Sequence, residues 1–132
     1  PFTALVESKN SYELELDFAA NTEHEIILFA DKNGKGLRIN FDLKAGQVTV
    51  DRSQAGEPFA LDFGTSRSCN IDKEATSATI FIDKSIFEIF INKGEKVFSG
   101  RVFPREDQTG IAITKGNPTG TYYELDYGRK AN

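Results

Sequence analysis

Apolar and polar positions alternate with a period of two along most of this chain, which predicts strands and no helices. In "YELELDF", Tyr12, Leu14, Leu16 and Phe18 fall on one side and Glu13, Glu15 and Asp17 on the other, the pattern of a half-solvated antiparallel strand. "EIILFAD" follows, then "LRINFDL", with Leu37, Ile39 and Phe41 set against Arg38, Asn40 and Asp42. Between them "KNGKG" predicts a tight hairpin in which Asn33-Gly34 supplies the positive φ angles. Lys44-Ala45-Gly46 predicts another turn, leading into the short strand "QVTVD". From Arg52 to Thr76 the alternation weakens: "SQAGEP" is loop chemistry, and Phe59, Leu61 and Phe63 suggest a short strand. "TIFIDKSIFEIFINKGEKVFSGRVFP", Thr79 to Pro104, then gives three strands, turning at Asp83-Lys84-Ser85 and at Asn92-Lys93-Gly94. "IAITK", the turn "GNPTG" and "TYYELDY" close the chain. About eight to ten strands, with turn signals every ~8–12 residues, predict an all-β, antiparallel two-sheet β-sandwich, jelly-roll-like and a single domain.

The turn chemistry also predicts a register. With Lys93-Gly94 as a two-residue turn, Asn92 faces Glu95, Phe90 faces Val97, Glu88 faces Ser99 and Ile86 faces Arg101. Phe87, Ile89, Ile91, Phe98 and Val102 then make the core side. The opposite side carries Asp83, Glu88 and Arg101 among Phe81, Ile86, Phe90 and Phe103, a mixture that simple solvent exposure does not produce. Glu88 lies diagonal to Arg101, within reach of long side chains. Two readings stand at this point. The carboxylate and guanidinium pair to orient the hairpin or to dock it on another part of the protein, or the patch grips sugar hydroxyls.

Composition narrows the function. At 132 residues the chain is the size of one domain, ~100–150 residues being typical. Its 39% hydrophobic and 27% charged content is that of a folded protein and not of a disordered one. A net charge of −4 without a Lys/Arg cluster argues against nucleic acid as a partner. No apolar run approaches the roughly 20 residues of a membrane span, so no membrane partner is expected. The chain opens on Pro1 and not on Met, so it is expected to be a piece of a longer polypeptide. Cys69, the single cysteine, excludes an internal disulfide and leans towards a reducing, cytoplasmic setting without demanding one.

Candidate chemistry is sparse. His24 is the single histidine; without a second histidine or a cysteine beside it, no metal site is expected, and a surface position is the simplest reading. No nucleophile motif supports Ser-His-Asp catalysis. "GKG" at Gly34–Gly36 lacks the spacing of a phosphate loop, and no cofactor is expected. Tyr122 and Tyr123 point to opposite faces of the last strand, one inward and one exposed. Glu13, Glu15 and Asp17 read as a solvated face.

Two spaced motifs carry a family resemblance. Asp51-Arg52-Ser53, within "VTVDRSQAG", and "IFIDKSIFEIFINKGEKVFSGRVFP" at Ile80–Pro104 resemble the C-terminal β-sandwich of glycoside hydrolase family 32, the invertases, sucrose-6-phosphate hydrolases, levanases and inulinases. The family pattern there is a strand ending in Asp-Arg-Ser, a strand of the form "(I/F)VD(R/K)S(S/I)VE(V/I)F", a turn like "NDGE" and a strand ending in "RVFP" or "RIYP". Phe87 stands where Val is usual and Lys93 where Asp is usual. Arg67 sits where the family often has an arginine.

The resemblance implies that catalysis belongs to an N-terminal β-propeller, by a retaining two-carboxylate mechanism. Its "NDPNG", "RDP" and "EC" motifs are absent from residues 1–132, so no catalytic residue is expected in this chain and the chain alone is expected to be inactive. In the family the sandwich packs against the propeller and stabilises it; in some members it helps dimers form or contributes contacts near the substrate entrance, and a related sandwich is a free-standing fructan-binding module. The expected partner is therefore the catalytic propeller of the same polypeptide, with a fructan ligand or a second copy as alternatives. Asp83, Glu88 and Arg101 are the candidates for docking or sugar contact. A secreted levanase would carry the same sandwich, so the resemblance leaves the compartment open.

Overall fold

The computed structural model describes residues 4–55 and 66–125. Eleven strands lie among the described residues: β1 (Ala4–Glu7), β2 (Ser11–Phe18), β3 (Glu23–Ala30), β4 (Leu37–Asp42), β5 (Gln47–Asp51), β6 (Ser66–Asn70), β7 (Thr76–Asp83), β8 (Ile86–Ile91), β9 (Lys96–Arg101), β10 (Gly110–Lys115) and β11 (Thr119–Glu124). They form two antiparallel sheets, a six-stranded one in the order β1-β10-β3-β4-β5-β6 and a five-stranded one in the order β11-β2-β7-β8-β9. This is the two-sheet sandwich that the alternation predicts.

The core lies between the sheets. From the five-stranded sheet come Tyr12, Leu14, Leu16, Phe18, Ile80, Ile82, Phe87, Ile89 and Ile91; the other contributes Ile26, Leu28, Leu37, Ile39, Phe41, Val48 and Val50. Phe18 stacks on Phe41 across the gap, ring centroids 4.3 Å apart. Burying such side chains is worth about 1.5–3 kcal/mol each. Phe29 sits at φ 52°, where the pairing of β3 with β10 slips between Gly110 and Ile111. That bulge turns Phe29 into the core, fully buried, which offsets a backbone angle unusual for a bulky residue.

Two expectations change and one lies outside what the structure describes. β1 and β6 were not anticipated, because both are edge strands, and β6 reads "SRSCN" with little apolar alternation. Phe59, Leu61 and Phe63 lie outside the described residues. The "KNGKG" turn is longer than a two-residue hairpin. Gly34 alone takes positive φ, at 83°, and Asp31 organises the loop, its carboxylate accepting from Asn33 N (2.8 Å) and Lys35 N (3.0 Å).

His24 also departs from expectation: it is buried, at 4% exposure, and not on the surface. The Thr22 hydroxyl donates to Ala19 O (2.6 Å) and meets His24 Nε2 at 2.8 Å, so Nε2 carries the ring proton. Nδ1 is left without a partner, against Gly116, where a Cβ would overlap it. Burial lowers the His24 pKa below its ordinary 6.5, with Glu23 working weakly against this.

Candidate functional site

The mixed face is assembled by two tight hairpins. Asp83 pairs with Ile86 across a two-residue turn, with Lys84 at φ 62°. Asn92, Lys93 and Gly94 take φ 52°, 61° and 101° in a four-residue turn between the paired Ile91 and Lys96, longer than the two-residue turn expected but in the same register. The resulting register sets Phe81 opposite Glu88, Glu88 opposite Ser99, Phe90 opposite Val97 and Ile86 opposite Arg101, as the turn residues predict.

Asp83, Glu88 and Arg101 all stand exposed on the outer face of the five-stranded sheet. The expected Glu88–Arg101 ion pair is not formed; no N···O contact within 4.0 Å joins them. Diagonal neighbours in a ladder must stretch to meet, and two solvated side chains gain little by doing so. Phe81 and Phe90 are half-buried between them and meet edge to face, centroids 5.9 Å apart. Phe81, Ile82, Asp83, Ile86, Glu88 and Leu125 line an open hollow of about 310 Å³.

The exposed large apolar side chains among the described residues are Ile86 (41%), Val97 (53%), Phe103 (41%) and Tyr123 (47%). By strand alternation and register Ile86, Val97 and Tyr123 share this outer face, and Phe103 continues the alternation of β9 just past its end. Tyr123 joins it from β11, opposite Glu13, while Tyr122 turns inward against Tyr12, centroids 5.4 Å apart. Sequence reasoning passed over Val97, although the Lys93-Gly94 turn places it opposite Phe90. It also missed that the acidic row of β2 belongs to the same face. β2 pairs with β7, Glu13 opposite Phe81, Glu15 opposite Thr79 and Asp17 opposite Ser77, a contact between distant segments that no local pattern announces.

The two sequence motifs meet in space. Asp51 Oδ1 accepts from Ser53 N (2.9 Å) and shapes the turn after β5. Arg52 Nη1 then donates to Arg101 O (3.2 Å) at the end of β9. Arg52 thereby ties one sheet to the other beside Arg101, and Val102 is buried just beyond. Arg67 is exposed on the edge strand β6, opposite Val50. Among the described residues, no group of three or more His, Cys, Asp and Glu side chains could hold a metal ion.

Fold and face together define an antiparallel β-sandwich with a closed core and one outer sheet face that mixes apolar and charged side chains. The chain belongs to the family described as glycosyl hydrolases family 32 C terminal, whose sequence profile matches residues 3–127. It is 59% identical over 121 residues to the sucrose-6-phosphate hydrolase of Streptococcus mutans, covering 92% of this chain and 25% of that protein. The structure of sucrose-6-phosphate hydrolase from Lactobacillus gasseri superposes with a TM-score of 0.83 at 28% identity, over 93% of this chain and 28% of that one. Exo-inulinase from Aspergillus awamori shares the fold, with a TM-score of 0.82 at 21% identity over 95% of this chain and 27% of that one. The chain thus spans about a quarter of the length of these relatives.

Proposed function

We propose that this chain is the non-catalytic C-terminal sandwich of a β-fructofuranosidase of the sucrose-6-phosphate hydrolase type. It docks on the catalytic β-propeller of the same polypeptide through the outer face of its five-stranded sheet and stabilises that domain. One observation carries the docking reading: the exposed large apolar side chains among the described residues gather on this single face, beside Asp83, Glu88 and Arg101. Apolar side chains exposed on one face beside charged ones are the mark of a contact surface. The substrate class is supported by the 59% identity to the S. mutans enzyme.

The test compares the full polypeptide with residues 1–132. The full polypeptide should release fructose from sucrose 6-phosphate and the purified sandwich should release none; fructose release by the sandwich, free of host invertase, would overturn the reading. Replacing Val97, 53% exposed, by Ser in the full polypeptide should lower its melting temperature, and an unchanged transition would speak against docking through this face.

The hollow beside Phe81 favours a second reading, contact with a fructan. An aromatic wall with two carboxylates, Asp83 and Glu88, suits a sugar ring, whose apolar side can lie on Phe81 while its hydroxyls donate to the carboxylates. Levan oligosaccharides should then shift the amide resonances of these residues in the full polypeptide. Silence at millimolar sugar removes this reading and leaves the docking role untouched.

A further inference from the structure

The two outer faces of the sandwich treat their carboxylates differently. On the six-stranded sheet the central carboxylates, Glu23 and Glu25, are paired with cations of the chain itself. Glu25 meets Arg38 at 3.1 Å and accepts from the Thr114 hydroxyl at 2.6 Å. Glu23 accepts from Asn40 at 3.1 Å and pairs with Lys115 at 3.5 Å. Asp42 is taken up by its turn, accepting from the backbone of Lys44 and Ala45.

On the five-stranded sheet the strands present Glu13, Glu15, Asp17, Asp83 and Glu88 outward against one cation, Arg101. None of the five has a lysine or arginine partner within 4.0 Å among the described residues. Glu13 and Glu15 stand two residues apart on one side of β2. A hydrogen bond between their carboxyl groups, with burial and like charge adding to it, raises the Glu13 pKa above its ordinary value. The same face holds Ile86, Val97, Phe103 and Tyr123. One outer face therefore pairs its central carboxylates within the chain, and the other is apolar on the β8–β9 side and acidic along β2.

We propose that this face is built for a partner surface that is apolar and basic, with Glu13, Glu15 and Asp17 receiving lysine or arginine side chains of the catalytic domain. The inference rests on the docking role proposed above and specifies the chemistry of the partner. Charge complementarity selects the occupant. A second copy turned onto the same face would set most of its carboxylates against an equally acidic surface, and like charges brought together in this way oppose association.

The sign of one effect tests it. Like charges crowded on a free face repel, so neutralising them leaves a solvated sandwich as stable or makes it more stable. If the carboxylates face cations, neutralising them removes attraction. The experiment is calorimetry of the full polypeptide carrying E13Q, E15Q and D17N together, at ionic strengths of about 0.02 M and about 0.5 M, where screening lengths differ severalfold. The triple variant should melt several degrees below the parent at low salt, with the gap closing at high salt. A melting temperature unchanged or raised overturns the proposal. A companion variant, Val97→Ser with Ile86→Ser, separates the two claims. If it lowers the melting temperature while the charge variant does not, the basic partner is wrong and docking stands; if both are silent, docking itself is wrong. Sedimentation that finds a dimer strengthened by the charge variant assigns the face to a second copy and also overturns the proposal.

Discussion

His24 and Tyr12 show how burial sets the chemistry of single side chains here. His24 holds its proton on Nε2, facing Thr22, and leaves Nδ1 bare inside the protein. Charging the ring must place a second N–H where no acceptor waits, so its folded pKa lies below the ordinary 6.5. Below pH 6.5 the unfolded chain binds the proton more readily than the folded one. The contribution of this residue to stability is therefore complete above 6.5 and is lost as the pH falls towards the folded pKa. As the single histidine, its NMR titration needs no assignment. A midpoint below 6.5 is expected, and a midpoint at or above it would contradict the burial account. The Tyr12 hydroxyl is buried without a partner, and its pKa is pushed far up by burial and then by Tyr122. Tyr12→Phe removes an unsatisfied polar group without leaving a large cavity, so it should stabilise the fold by roughly 1 kcal/mol in denaturant titration. A loss of similar size would mean that the hydroxyl has a partner, such as a bound water. The sequence alone could not place His24, because a histidine flanked by two glutamates reads as solvent-exposed until the ring of Phe18, 5.0 Å away, is known to cover it.

At the scale of elements, the local patterns carried far. The turn residues Lys84, Lys93 and Gly94 imposed the register of β7, β8 and β9, so the face bearing Asp83, Glu88 and Arg101 was legible before any coordinates. Pairing of β2 with β7 was not, since contacts between distant segments leave no periodic trace. The acidic row was therefore read as a separate solvated surface. β6 stayed hidden for another reason: in "SRSCN" Cys69 is the single apolar side chain and packs only partly against the core, so no alternation marks the strand. The pair Phe87 and Gly100 is a further element-scale feature. They are cross-strand partners, and a Cβ on Gly100 would lie 2.8 Å from Cζ of Phe87. The larger ring at position 87, where the family usually has Val, is accommodated by the missing side chain opposite. Gly100→Val should cost about 1–3 kcal/mol through overpacking, and Phe87→Val in the same chain should recover part of that loss. Equal cost with and without Phe87→Val, in a denaturant series of the four variants, would show that the ring is not the obstacle.

For the whole molecule, the two outer faces divide the work. The six-stranded sheet pairs its central carboxylates, Glu25 and Glu23, with Arg38 and Lys115. The five-stranded sheet leaves apolar side chains and carboxylates uncovered, and the proposed catalytic partner of the same polypeptide supplies the cover. Arg52, reaching from the end of β5 to the carbonyl of Arg101, links the two sheets at the border of the proposed docking face. The most direct test is hydroxyl-radical footprinting of the full polypeptide, with Phe103 and Tyr123 as reporters. In the sandwich they are 41% and 47% exposed. If the face is docked, both should be labelled as slowly as the buried Phe18 and Phe41. Labelling at the rate of freely accessible aromatic side chains would contradict the docking role.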